Sequence, residues 1–153
     1  MHSTHRAAIL LLGWLATLPV MAEEEDRLAL RDIESQHPKK LGKDEVTAML
    51  TGARVSRVSG RGNVHSWRNE ADGSFVVSTD NRGAGAARAS GRPTTAQGKW
   101  HISDDGRYCI LIEWRSAPTE EWCRYVLQAD DGFYAVRAES PATERVHRLD
   151  ITK

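Results

Sequence analysis

Three Asp-Gly steps, Asp72-Gly73, Asp105-Gly106 and Asp131-Gly132, each stand between runs in which apolar and polar residues alternate. Glycine takes the positive φ that tight turns between antiparallel strands require, and Asp before it is a strong hairpin signal. Period two holds from Arg54 onward, so strands are expected near 53–58, 64–69, 74–79, 97–102, 107–114, 122–128, 133–138 and 145–151. Turn steps at such regular spacing favour an antiparallel meander. About eight strands of this length close into a barrel or fold into a sandwich.

The chain has two cysteines, Cys109 and Cys123, on neighbouring expected strands. If they face each other, Ile110 faces Trp122 and Tyr108 faces Arg124, because cysteines opposite in an antiparallel pair come close enough to bond. Ile110, Ile112, Trp114 and Trp122 then share one face. Cys109, Leu111, Cys123, Tyr125 and Leu127 share the other. Both faces are partly apolar, which a solvent-washed sheet cannot sustain, so one should line the interior and the other needs a cover. A helix carrying Val46, Met49 and Leu50 is the expected cover.

That helix has its own signals. Gly42 stands at the N-cap, Glu45 at the third helical position, Leu41 opposite Val46 for a hydrophobic staple, and Gly52 at the stop. A weaker helix is expected over 26–35, where Leu30 and Ile33 share a side and His37-Pro38 ends the run.

The first residues read as an export leader. His2, His5 and Arg6 precede an apolar stretch from Ala7 to Pro19, and Val20-Met21-Ala22 offers a cleavage site before Glu23. The stretch falls short of the roughly 20 apolar residues of a comfortable bilayer span; an uncleaved anchor is the weaker alternative. Segment 1–22 is thus expected to be a signal peptide, 23–40 an acidic and helical lead-in, and 41–153 one barrel-like domain. A periplasmic location follows, without stable membrane insertion after cleavage. In an oxidising compartment two cysteines argue for a disulfide. Without Arg6 the remainder carries 20 Lys and Arg against 21 Asp and Glu, a net charge of −1. Nucleic acids and anionic membranes attract a basic excess, so neither is expected as a partner.

Reactive constellations are sparse. His37, His65, His101 and His147 lack the local spacing of a ligand motif, and no metal or cofactor is expected. His65 and His101 are expected as exposed strand histidines pointing away from Trp67 and Trp100. Ser66 and Ser90 have no nucleophile elbow around them. The acidic pairs Asp104/Asp105, Glu120/Glu121 and Asp130/Asp131 are read as turn residues. Glu113 sits in a strand and wants a basic partner. A non-enzymatic protein is the expectation.

A further pattern is carried by Leu50-Thr51-Gly52, Asp72-Gly73, Gly98-Lys99-Trp100, Cys109, Trp114, Cys123-Arg124-Tyr125 and Asp131-Gly132-Phe133-Tyr134. Over about residues 41–138 it resembles families of small exported proteobacterial proteins of unknown function. Their Gly-x-Trp and paired-Cys layout implies a lipocalin-like (calycin-type) barrel. Lipocalins carry Gly-x-Trp near the first strand, whereas here it stands mid-chain. The resemblance supplies no catalytic residues.

The fold class expected is therefore mainly β, with one or two N-terminal helices, about eight strands in a lipocalin-like barrel or sandwich, and one disulfide. Two functions remain in play. The first is a binding or accessory protein holding a small apolar ligand, with Trp100, Ile110, Ile112, Trp114 and Trp122 as candidate cavity lining. The second is an envelope interaction factor that meets a protein partner through loop 80–92 and its Arg82, Arg88 and Arg92; a solvated excursion is the plainer reading of that loop.

Overall fold

The alternation that begins at Arg54 builds a closed ring of strands. The structure is a computed structural model that describes residues 28–80 and 93–153. The leader, the acidic run 23–26, Ser90 and the loop arginines Arg82, Arg88 and Arg92 lie outside the described residues. In chain order there is a 3-10 helix (Leu30–Gln36), a two-residue strand β1 (Lys39–Lys40) and helix α1 (Lys43–Leu50). Eight barrel strands follow: β2 (Arg54–Val58), β3 (Val64–Arg68), β4 (Ser74–Thr79), β5 (Thr94–Ile102), β6 (Tyr108–Glu113), β7 (Glu120–Ala129), β8 (Gly132–Val136) and β9 (Val146–Thr152). Each pairs antiparallel with the next, and β9 closes on β2 through Val55 opposite Ile151. The result is an up-and-down barrel of eight strands, and β1 adds to the side of β7.

The hairpin register anticipated from the cysteines is the register observed. Cys109 pairs with Cys123, Ile110 with Trp122 and Tyr108 with Arg124, and the disulfide is formed. At the turns, Gly73 (φ 85°) and Gly106 (φ 84°) take the left-handed backbone that a Cβ would strain.

Side chains fill most of the ring. Trp67, Phe75, Tyr108, Ile112, Val55, Val77 and Val126 are fully buried in one cluster, joined by Val46 and Leu50 of α1. The Gly42 N–H donates to the Glu45 carboxylate at 2.8 Å, which fixes the start of α1. This helix does not cover the outer face of the sheet, as its sequence had suggested. It closes one end of the barrel, because Val46 and Leu50 pack with the inward residues Val55, Trp67 and Tyr108. The outer cover is the 3-10 helix: Leu30 and Ile33 pack on Leu127, Tyr134, Val136 and Val146. The correction has a local cause. Only three residues, Thr51 to Ala53, separate α1 from β2, and so short a link turns the helix over the barrel mouth rather than onto its flank.

At the α1 end a polar knot ties helix to ring. The Trp67 indole N–H donates to Tyr108 Oη at 3.0 Å and Asn69 Oδ1 at 3.1 Å, and Tyr108 Oη–H donates to Asn69 Oδ1 at 2.9 Å. The Asn69 amide in turn donates to the Leu50 carbonyl at 3.2 Å. These groups are buried and mutually satisfied, the only economical state for polar atoms in such a place.

Candidate functional site

Polar residues enter the barrel interior at the end opposite α1. Alternation along β2 points Arg57 the same way as Val55, and the ladder carries that level around the ring. Arg57 stands opposite His65, His65 opposite Thr79, and Thr79 opposite Thr94. One rung across four strands therefore bears an arginine, a histidine and two threonines instead of apolar side chains. Above it opens a cavity of about 670 Å³, walled by this rung, by Ser59, Gly60, Arg61 and Asn63 of the β2–β3 turn, and by Trp114–Pro118 and Glu120.

Arg57 crosses the lumen. Its Nη2 meets the Glu120 carboxylate at the start of β7, a strand that is not a neighbour of β2. Its guanidinium also lies 5.7 Å from the centre of the Trp122 ring, an attractive position for a cation over an aromatic face. Arg57 is 12% exposed and Glu120 28%. Burial, the largest influence, brings the Arg57 guanidinium down to about 10, with Tyr108 pulling upward and Arg124 downward. It remains charged at neutral pH. The Nε of Arg57 is buried without a hydrogen-bond partner.

His65 is the second buried group. Burial and, next, the Arg57 charge push its imidazole down to about 4, against a smaller upward influence of Asp80. The ring is neutral at neutral pH, packs 5.3 Å from the Trp114 ring centre, and leaves Nδ1 without a hydrogen-bond partner, 4.0 Å from Glu120 Oε2. The expectation of an exposed strand histidine fails here: His65 is two residues from Trp67, and period two puts both inside. His101, adjacent to Trp100, is exposed as expected.

Of the five residues proposed as cavity lining, Trp114 is in this wall. Trp122 packs partly buried beneath Arg57, while Trp100, Ile110 and Ile112 are buried in the core below. Ser66 alternates with His65 and so faces the other side of β3, and Glu113 is exposed. Arg57 and Glu120 are the site residues that sequence reasoning passed over. The sequence reads Glu120 as a turn residue, but β7 begins with it, two residues earlier than expected. The available signal was parity: Glu120 shares its face with Trp122, and Arg57 shares its face with Val55. Among the described residues no group of three or more His, Cys, Asp and Glu side chains converges as a metal-ligand set.

The site is thus a cup with a filled floor, one charged pair across its base, two unsatisfied buried nitrogens and an aromatic wall. It can hold a small molecule by shape and by hydrogen bonds. No curated protein and no solved structure matches the chain. A family model described as a protein of unknown function (DUF995) matches residues 28–137, most of the chain, which therefore belongs to the DUF995 family.

Proposed function

We propose that this protein is a non-catalytic binding protein, exported to the periplasm, that takes a small organic ligand into the open end of a lipocalin-like barrel. The observation that carries the reading is the cavity of about 670 Å³ set over a packed, helix-closed floor. Concave sites of this size with a few convergent polar groups are where small molecules bind. Trp114, Ala117 and Pro118 offer the apolar side of the wall. The apolar interior itself is occupied by side chains, so the ligand sits in the mouth of the barrel rather than along its axis. The Cys109–Cys123 disulfide supports the exported location, since such bonds persist in oxidising compartments.

Thermal-shift and native mass spectrometry screens of the purified protein test the cup. At least one small organic compound should raise the melting temperature and bind at one equivalent, and Ala117→Trp, which fills the wall, should abolish both effects. Failure of every compound, or binding that survives Ala117→Trp, overturns the reading. Cell fractionation tests export. A chain beginning at Glu23 with oxidised cysteines supports it, and a full-length cytoplasmic chain with free thiols refutes it.

A further inference from the structure

The charge around the cup is uneven. Arg57, Arg61 and Arg115 line it, while Glu120 is the one acid in the wall among the described residues. A concave, partly dry site with a positive excess concentrates anions. Arg57 shows where such an anion would go. A guanidinium offers a planar fork of donors that matches an oxyanion in two parallel bonds. Glu120 engages the fork through Nη2, and the buried Nε is left with nothing to bond. The Nδ1 of His65, also buried and without a hydrogen-bond partner, faces the same carboxylate. Buried polar atoms without partners are uncommon and costly, so an acceptor that bonded the Arg57 Nε–H would be held tightly. Glu120 is the more exposed of the pair and stands at the first residue of β7, so it can rotate outward while Arg57 stays fixed over Trp122.

We propose that the ligand carries an oxyanion head (a carboxylate, sulfonate or phosphate-type group) that takes the Arg57 fork and displaces Glu120, with its apolar body against Trp114. Glu120 then acts as an internal stand-in that occupies the anion position until ligand arrives. This inference rests on the cup reading and adds the charge of the ligand to it.

Two fluorescent probes with the same aromatic body separate the claims: anilinonaphthalene sulfonate, which bears an anion, and phenylnaphthylamine, which does not. The sulfonate should bind at one site at least about 10-fold more tightly than the amine, the size of one or two charge-assisted hydrogen bonds. Arg57→Met should remove that preference. Arg57→Lys, which keeps the charge but loses the fork, should remove most of it and serves if the Met variant does not fold. Glu120→Gln should tighten the sulfonate several-fold and leave the amine unchanged. A loosened fold exposes apolar surface to both probes, so a gain confined to the sulfonate at one equivalent does not come from a damaged fold. Equal affinities for both probes, or indifference to the Arg57 variants and to Glu120→Gln, overturn the anion inference while leaving the cup intact. Binding of both probes that persists in Ala117→Trp overturns the cup, and the inference with it.

Discussion

Arg57 of β2 and Glu120 of β7 form an ion pair across the lumen, joining two strands that share no ladder hydrogen bonds. An ion pair taken out of water gives little net stability, but removing one partner leaves the other stranded. Glu120→Gln should therefore lower stability by about 1–3 kcal/mol, less than for a fully buried pair because the cup admits water. The double variant Arg57→Met/Glu120→Gln should recover part of that loss. Denaturant melts of both single variants and the double variant give the coupling directly. Additive losses would mean that the two side chains do not interact.

His65 makes stability fall in mild acid. Its folded-state value of about 4 lies below the ordinary histidine value of 6.5. Between those limits the unfolded chain binds a proton that the folded chain refuses, so stability rises with pH across this window and levels off above it. The charged and titratable groups that act on the ring are Arg57, Glu120 and Asp80, and the Arg57 charge does not change in this range. Allowing for solvent in the cup, the loss from pH 7 to pH 4 attributable to this ring should be about 1–2 kcal/mol. Comparing wild type with His65→Gln by urea titration at both pH values isolates it. An unchanged difference between the two pH values in the variant would assign the acid sensitivity elsewhere.

Local rules made much of the ring legible in the sequence. Asp-Gly turns, period two and the cysteine pair place strands β6 and β7 in register residue by residue, since a covalent bond and a tight turn are short-range devices. The Gly42/Glu45 cap likewise marks the start of α1. What escaped depends on closure. Whether Leu30 and Ile33 or Val46 and Leu50 cover the outer face is settled by the path of the chain after residue 50, which no periodicity contains. The site escaped for a related reason. Arg57, His65 and Glu120 are polar residues at inward positions, and they become one site only when β7, β8 and β9 bring Glu120 round to β2. Reading Glu120 as a turn residue concealed the pairing, and misplacing His65 by one step of parity concealed the third member.

Gly98 exists for Phe75. The two residues are opposite in the β4–β5 ladder, and a Cβ on Gly98 would overlap the Phe75 ring, which stacks on Trp67 at 5.4 Å. Gly98→Val should cost about 1–3 kcal/mol by overpacking. Adding Phe75→Leu should relieve part of it, since the smaller side chain vacates the space. Melting temperatures of the single and double variants check this, and a double variant no better than Gly98→Val would show that the strain lies elsewhere.

Asn69 should be the most sensitive polar residue outside the cup. Its Oδ1 accepts from Trp67 and Tyr108 and its amide holds the Leu50 carbonyl. Asn69→Leu leaves the buried Tyr108 O–H without its acceptor and removes one of two bonds from both the Trp67 N–H and the Leu50 carbonyl. It should cost about 2–4 kcal/mol. Tyr108→Phe removes one hydroxyl and leaves the Trp67–Asn69 bond, so about 1 kcal/mol is expected. The order of the two losses in denaturant melts tests whether the knot acts as described; Tyr108→Phe costing the more would contradict it.

The Cys109–Cys123 bond closes a loop of sequence separation 14 across a hairpin already held by its ladder. The chain-entropy estimate for such a loop is about 3 kcal/mol, gained by restricting the unfolded chain rather than by new native contacts. The double variant Cys109→Ser/Cys123→Ser should therefore lose up to this amount of stability and keep its barrel. Both sulfurs lie on the face of the hairpin opposite Ile110 and Trp122. Probe affinity in the cup should accordingly stay unchanged at temperatures where the variant is folded. Far-ultraviolet circular dichroism and sulfonate titration on the same sample decide the matter. A folded variant with weakened binding would show that the bond shapes the cup as well as limiting the unfolded state.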